Sequence, residues 1–394
     1  MTQENCLIVQ SGGPTAVMNN SLIGLVDAIL ESFPRKTVYG AKGGINGLLN
    51  KEFIDLSKWT NSERNKLRWT PGSALGTCRH RLTDEEFHDI NKALKDTSIK
   101  YLFYIGGNGS MAVADKISKI ANEDNYSLQV IGIPTSIDND VVCTDHSPGY
   151  GSAAKFIATS MMDMKIDVAS YMDASRINII ETMGRHTGWL AAAASLANHP
   201  DDTTSETFIY LPEIPFNMKD CLQKVTETVN KGKSVFLVVA EGIRGENGQL
   251  LNQSELEFDG LDRAKLGGVS AYLSEQMKKY LDYESKVFMP SIWQRSSIRH
   301  AAKVDVDEAY QLGYVAWQFV EKGASGQMVS VKNEEFALVP LTEVAGKEKF
   351  IPTNWYDKDT HRMKKDFIQY VSPLIQGELD VPMKNGLPVY KGAV

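Results

Sequence analysis

The sequence contains no apolar run of the roughly 18–20 residues that cross a bilayer, so no membrane-spanning helix is expected. Cysteine is scarce: Cys6, Cys78, Cys143 and Cys221 are the only 4 in 394 residues. None lies in a CxxC pair or at metal-ligand spacing, which predicts reduced thiols and argues against a zinc module or a disulfide framework. A basic excess is missing too. With 42 Lys and Arg against 49 Asp and Glu, the net charge is −7. That speaks against broad binding to nucleic acid or an anionic membrane, but leaves room for a local phosphate pocket. The opening MTQENCLIVQSGG has neither the basic n-region nor the apolar h-region of a secretory signal. Asn108 and Asn252 each begin an Asn-X-Ser triplet, yet nothing suggests secretion, and a cytoplasmic protein is expected. Fixed-period repeats, low-complexity tracts and long charge blocks are absent as well.

What is present is a rhythm of apolar runs and helical stretches. CLIVQ (6–10) leads into SGGPT and a helical pattern from Val17 to Leu30. YLFYIG (101–106) leads into GNGS and a helix from about Met111, and LQVIGI (128–133) leads into PTSIDND. INII (177–180) precedes ETMGRHTG, and SVFLVVA (234–240) precedes EGIRG. Continuous apolar strands alternating with helices predict a largely parallel sheet covered on both faces. The length allows two such domains. The expected fold is therefore α/β, with two Rossmann-like three-layer domains and the active site in the cleft between them. The predicted division is 1–150, completed by part of about 300–345, and 151–299, with a peripheral extension over 346–394. In such folds ligands bind at the carboxyl ends of strands, and every Gly-rich or charged motif here falls at that edge.

Each motif is weak alone. SGGPT can offer backbone N–H groups to an anion at a helix N-terminus, but it matches neither GxGxxG nor GxxxxGK[ST]. Alone, it is better explained as a tight βα turn. GGNGS (106–110) lets the backbone approach a ligand, and Asn108 and Ser110 add oxygens for phosphate or metal. PTSIDND places Asp138 and Asp140 in one short loop, where like charges repel unless a metal-bound phosphate or a proton to be removed makes the pair useful. Arg185 in ETMGRHTGW suits a transferring phosphoryl group, and Glu241 suits sugar hydroxyls, although a structural salt bridge is as good a reading for either. His146 and His186 read as packing or helix-start residues, and the Met-rich stretch 161–164 reads as core. Together the loops point to phosphoryl transfer, which needs phosphate donors, Mg²⁺ and a base.

SGGPTAVMN, GGNGS, PTSIDND, GYGSAAKF, RINIIETMGRHTGW, AEGIR and QRSS occur in that order over roughly residues 5 to 320. This set resembles the phosphofructokinase family of the ATP- and pyrophosphate-dependent type, acting in glycolysis. The resemblance implies that Asp138 is the base for the 1-hydroxyl of fructose 6-phosphate. It also implies that Asp140 and Asn108 lie at the Mg²⁺ site, where the family often has Asp at position 108. Gly13, Gly107, Asn108, Gly109, Ser110 and Arg79 would face the donor, with Arg79 and Arg185 at the transferring group. Ser136, Asp138, Asp140, Arg176, Met183, Gly184, Arg185, Glu241 and Arg295 would face the acceptor. In the family the counterparts of Arg176 and Arg295 reach the sugar 6-phosphate from a neighbouring subunit, so a homodimer or homotetramer with shared sites is implied. After Arg295 the text departs from the usual glycine-rich turn. Arg299, His300 and Lys303 are there instead, which leaves another acceptor such as sedoheptulose 7-phosphate open.

Donor choice rests on two positions. Pyrophosphate-dependent relatives tend to carry Asp at 109, which repels the ATP α-phosphate, and Lys at 135. Two like charges about 4 Å apart cost roughly 4 kcal/mol at an effective dielectric near 20. This chain has Gly109 and Thr135, so ATP is the favoured donor here. Pyrophosphate is the alternative, supported by wording closer to the clostridial-type pyrophosphate-dependent branch. Ile23 and Asp27 replace the arginines of the allosteric nucleotide site, so no nucleotide activation is expected there. A non-catalytic regulatory subunit and a dinucleotide-dependent oxidoreductase are the competing classes. The intact acids and arginines argue against the first, and the missing GxGxxG against the second.

Overall fold

The computed structural model describes residues 4–171, 176–199, 201–251 and 266–392; the Asn252 triplet lies outside them. Eleven strands build the two main sheets. In chain order they are β1 Asn5–Gln10, β2 Val38–Ala41, β3 Phe53–Asp55, β4 Ile99–Gly106, β5 Gln129–Pro134, β6 Ile177–Thr182, β7 Ser205–Tyr210, β8 Ser234–Ala240, β9 Ser285–Phe288, β10 Gln327–Lys332 and β11 Glu335–Pro340. The chain divides into one unit of residues 1–152, 295–349 and 377–394, and a second of residues 153–294 and 350–376. Residues 346–394, expected as one peripheral extension, are thus shared between the two.

The first unit holds seven strands in the order β11-β10-β5-β4-β1-β2-β3. The inner pairs β2–β1, β1–β4, β4–β5 and β5–β10 are parallel, while β3 and β11 close the edges antiparallel. Alternate residues serve opposite faces, as the pleat requires. Cys6, Ile8, Phe103 and Ile105 pack into a core with helices Met18–Ser32 and Lys303–Glu321. Leu7, Val9, Leu102 and Tyr104 pack into another with helices Asp84–Asp96 and Asn108–Glu123. Two apolar faces on each strand explain why these segments read as unbroken hydrophobic runs.

Helices Met18–Ser32 and Lys303–Glu321 touch backbone to backbone. A Cβ on Gly24 would lie 2.0 Å from the Tyr310 carbonyl oxygen, and one on Gly313 2.0 Å from that of Ser21. Ile23 is fully buried there, and Asp27 takes Arg64 Nε at 2.6 Å and the Tyr310 hydroxyl at 3.0 Å. Ile23 and Asp27 are therefore taken up by packing and an internal ion pair.

Among the described residues the main sheet of the second unit has four strands, all parallel, in the order β7-β8-β6-β9. Residues 350–376 belong to its fabric. The Tyr356 hydroxyl donates to the Ile209 carbonyl at 2.7 Å, and Trp189 meets Trp355, Phe367 and Tyr370 with ring centroids 5.2–6.3 Å apart. The Met-rich stretch is only partly core. Met161 is buried but Met162 is 54% exposed, because successive residues on a helix point about 100° apart and a continuous run cannot share one face. Among the described residues no helix is long and apolar enough to cross a membrane.

Candidate active site

In the first unit, neighbouring parallel strands β1, β4 and β5 end at one edge and release three loops there. Backbone closeness dictates their glycines. A Cβ on Gly106 would lie 2.2 Å from Ser110 Oγ and 2.6 Å from the Ser11 carbonyl oxygen, and Gly12 has φ +80°. The Gly12 carbonyl accepts from Thr77 Oγ1 at 2.9 Å, which ties the segment carrying the exposed Arg79 to the SGGPT turn. A Cβ on Gly13 would lie 3.6 Å from Arg295 Nη1. Arg295 thus lies beside the SGGPT turn of its own chain.

Helix Asn108–Glu123 starts directly after β4, where a Cβ on Gly107 would meet the Thr135 carbonyl oxygen at 3.6 Å and Ser136 Cβ at 3.7 Å. Asn108 Nδ2 donates to the Lys347 carbonyl, while its buried Oδ1 has no hydrogen-bond partner among the described residues. Ser110 is buried. Gly109 faces open space, with nothing within 4 Å of an added Cβ.

β5 ends at Pro134, and Ser136 then organises both acids. Its Oγ accepts from the Asp138 amide at 3.2 Å and donates to Asp140 Oδ1 at 3.0 Å. Between them Asn139 takes φ +51°, a conformation its short polar side chain tolerates, and its Oδ1 accepts from the Ser147 amide at 3.0 Å. Burial raises the Asp140 carboxyl above its ordinary range, and Glu348 adds to the rise; Ser136 and Lys349 oppose it. The Thr135 hydroxyl is spoken for: it meets Thr15 Oγ1 and the Pro148 carbonyl, each at 3.0 Å.

In the second unit the neighbouring strands β6 and β8 deliver Met183-Gly184-Arg185 and Glu241-Gly242. The Glu241 amide donates to the Thr182 carbonyl at 2.9 Å and that of Gly242 to Gly184 at 3.0 Å. A Cβ on Gly242 would lie 1.9 Å from the Arg185 carbonyl oxygen, and Gly184, at φ +141°, would meet that of Thr187 at 2.4 Å. The Met183 amide donates to Gln294 Oε1 at 3.1 Å. Arg176 is elsewhere: it precedes β6 and is separated from Met183 by the 6 residues, about 20 Å, of that strand, with its guanidinium 3.6 Å from the Tyr171 ring centroid. Within one chain Arg176 thus stands apart from the turns that hold Met183, Gly184, Arg185 and Glu241.

Several residues at these loops had escaped sequence reasoning. Buried Glu181 accepts from the Gly268 and Ser270 amides and the Ser270 hydroxyl at 2.6–2.9 Å, capping helix Val269–Leu281. Glu213 accepts from the Gly188 and Ile351 amides at 3.0–3.2 Å, and burial raises its carboxyl. Lys349 donates into the acidic loop. Only strong local patterns announce such roles, and these three act across 25 to 210 residues. His146 is a packing residue, 2.5 Å from Glu308, and His186 is exposed.

No cluster of three or more His, Cys, Asp or Glu side chains suited to a metal exists among the described residues. Mg²⁺ needs no such cage, since it typically binds one or two carboxylates plus waters and substrate phosphate. The Asp140 carboxylate and the unpartnered Asn108 Oδ1 fit that modest demand.

Parallel α/β units with close-approach glycine loops, paired acids and strand-end arginines define a phosphotransferase. The phosphofructokinase family profile matches residues 5–320. A pyrophosphate–fructose 6-phosphate 1-phosphotransferase of Halomonas elongata is 36% identical, covering 98% of this chain and 96% of that protein. An ATP-dependent 6-phosphofructokinase of Mycobacterium bovis is 30% identical over 89% of this chain and 97% of its own. The crystal structure of the pyrophosphate-dependent phosphofructokinase from Nitrosospira multiformis superposes with a TM-score of 0.89 at 31% identity, covering 99% of this chain and 96% of the other. This chain belongs to the phosphofructokinase family.

Proposed function

We propose that the chain is a cytoplasmic, pyrophosphate-dependent phosphofructokinase working reversibly on fructose 6-phosphate. The carrying observation is the likeness to the Halomonas elongata enzyme, which runs through 98% of the chain. It replaces the preference for ATP read from Gly109 and Thr135. The open space at Gly109 admits an α-phosphate but equally admits the smaller pyrophosphate. Thr135 carries little information about the donor, because its hydroxyl is used inside the protein.

In the forward reaction Asp138 takes the proton of the sugar 1-hydroxyl. That oxygen attacks one phosphorus of pyrophosphate, the bridging P–O bond breaks, and orthophosphate leaves with the bond's electron pair. Arg79 and Arg185 offset charge on the phosphoryl oxygens in flight. Amides of the SGGPT and GGNGS loops, with Arg295 beside Gly13, hold the donor. Met183, Gly184 and Glu241 hold the sugar. Asp140 and Asn108 would hold Mg²⁺, which supplies charge neutralisation to the phosphates. Arg176 stands at the other end of β6 from Met183, which supports a homodimer or homotetramer where a neighbour's Arg176 completes the sugar-phosphate site.

Steady-state rates with Mg·pyrophosphate and Mg·ATP, measured in parallel on fructose 6-phosphate, test the donor. A kcat/KM at least about 100-fold higher with pyrophosphate is expected, equivalent to roughly 2.7 kcal/mol. The reverse, phosphate-dependent breakdown of fructose 1,6-bisphosphate should run at a comparable rate. An enzyme that prefers ATP by such a margin would overturn the proposal.

A further inference from the structure

Residues 347–349 lie more than 200 positions from the acidic loop in sequence, yet they touch it and its neighbour. The Lys347 carbonyl accepts from Asn108 Nδ2. The Lys349 amide donates to the Asp140 carbonyl at 2.7 Å. Lys349 Nζ reaches the Asp145 carbonyl at 2.9 Å, the Thr144 carbonyl at 3.3 Å and Asn139 Oδ1 at 3.3 Å. An ammonium has three hydrogens, so a full set of acceptors comes from residues 139–145.

Asn139 is the pivot. It sits between the two acids with positive φ, and its Oδ1 already accepts from the Ser147 amide. The ammonium therefore binds both the side chain that stabilises the unusual backbone conformation and the two carbonyls that close the turn. Beyond Lys349 the chain enters the second unit, where the Ile351 amide is held by Glu213.

The structure assigns Lys349 as a positioning residue: segment 347–349 is a strap that fixes the Asp138–Asp140 loop and joins it to Asn108. This rests on the roles given above to Asp138 and Asp140. Lys349 itself transfers no proton and touches no reacting atom. Its function is to keep the base aimed and the two metal-side oxygens in register, and a misplacement of about 1 Å can cost on the order of 10²-fold in rate.

Lys349→Met, which keeps the stem and removes the charge, is the first test. Its kcat should fall about 10- to 100-fold, the Mg²⁺ concentration for half-maximal rate should rise several-fold, and the KM for fructose 6-phosphate should stay within about twofold. Hydrogen exchange adds a readout independent of turnover: peptides covering residues 136–147 should exchange faster while those covering 177–182 do not change. Unchanged exchange in 136–147 with unchanged Mg²⁺ dependence would overturn the proposal, even if thermal stability fell. If the Met variant does not fold, Lys349→Arg takes its place, since a planar fork cannot reproduce three bonds from one nitrogen; wild-type kcat and exchange in that variant would count equally against the strap. A wild-type enzyme without phosphotransfer to fructose 6-phosphate would instead sink the roles of the acids, while the exchange comparison would still decide the strap.

Discussion

The two units present loops at the carboxyl edge of parallel strands by different means. In the first, close-approach glycines such as Gly106 are joined by side chains that set the acidic loop: Ser136 holds both acids, Thr15 meets Thr135, and Lys349 reaches in from far along the chain. In the second, backbone meets backbone, and Gly184 and Gly242 are required because no room exists for a Cβ. The difference suits the roles proposed for each. A base and metal-side oxygens must be aimed as side chains and so need side-chain partners. An arginine beside a sugar pocket needs mainly a fixed starting point, which tight backbone packing supplies.

The comparison breaks most severely at Asp138. Asp138→Asn keeps shape and polarity but removes the base, so kcat should fall about 10²–10⁴-fold with fructose 6-phosphate KM little changed. A variant within tenfold of wild type in a steady-state assay would remove Asp138 from the base role. In the second unit, Gly242→Ala probes the backbone device. The added methyl collides with the Arg185 carbonyl, and overpacking of this kind costs about 1–3 kcal/mol or more. A lower urea midpoint is expected, together with a raised acceptor KM; unchanged values of both would show that the turn yields easily.

The smallest effect sharpens the side-chain side of the contrast. Asp305 is buried and accepts from the Gly149 and Ser152 amides at 2.8 and 2.9 Å, anchoring the start of helix Tyr150–Ala169. Burial raises its pKa to about 6 despite these bonds. Between about pH 4 and 6 the unfolded chain has released this proton and the folded chain still holds it. The Asp305 contribution to stability is therefore full below about pH 4 and is lost as pH rises through 6, on the order of 3 kcal/mol. Urea titrations at pH 4.5 and 6.5 should show a flatter pH dependence for Asp305→Asn than for wild type. Parallel curves for the two would mean that Asp305 is ionised throughout.

Legibility in the sequence followed the range of the interactions. β8 coincides with the apolar run SVFLVVA, and β1, β4 and β5 are found within two residues of their predicted positions. β2, β3, β7, β9, β10 and β11 were not anticipated: β9 and β11 are sheet edges with half-exposed residues, so their hydrophobic signal is weak. The fold class and the acidic loop could be read because each is encoded in a few consecutive residues. The donor could not. Thr135 looks like a substrate-facing position in the linear text, and only the fold reveals that Thr15 and Pro148 occupy its hydroxyl.

Strand patterning, glycine-rich turns and ordered motifs, all local or repeated features, were enough by themselves to determine a parallel α/β phosphotransferase and to single out Asp138, Asp140 and Arg185. Tertiary structure alone decided that Arg295 lies beside Gly13, that Arg176 stands apart from Arg185, and that Lys349 grips the acidic loop. Those relations depend on which distant segments the packed sheets bring within hydrogen-bond reach, and no pattern in a handful of neighbouring residues carries that distance.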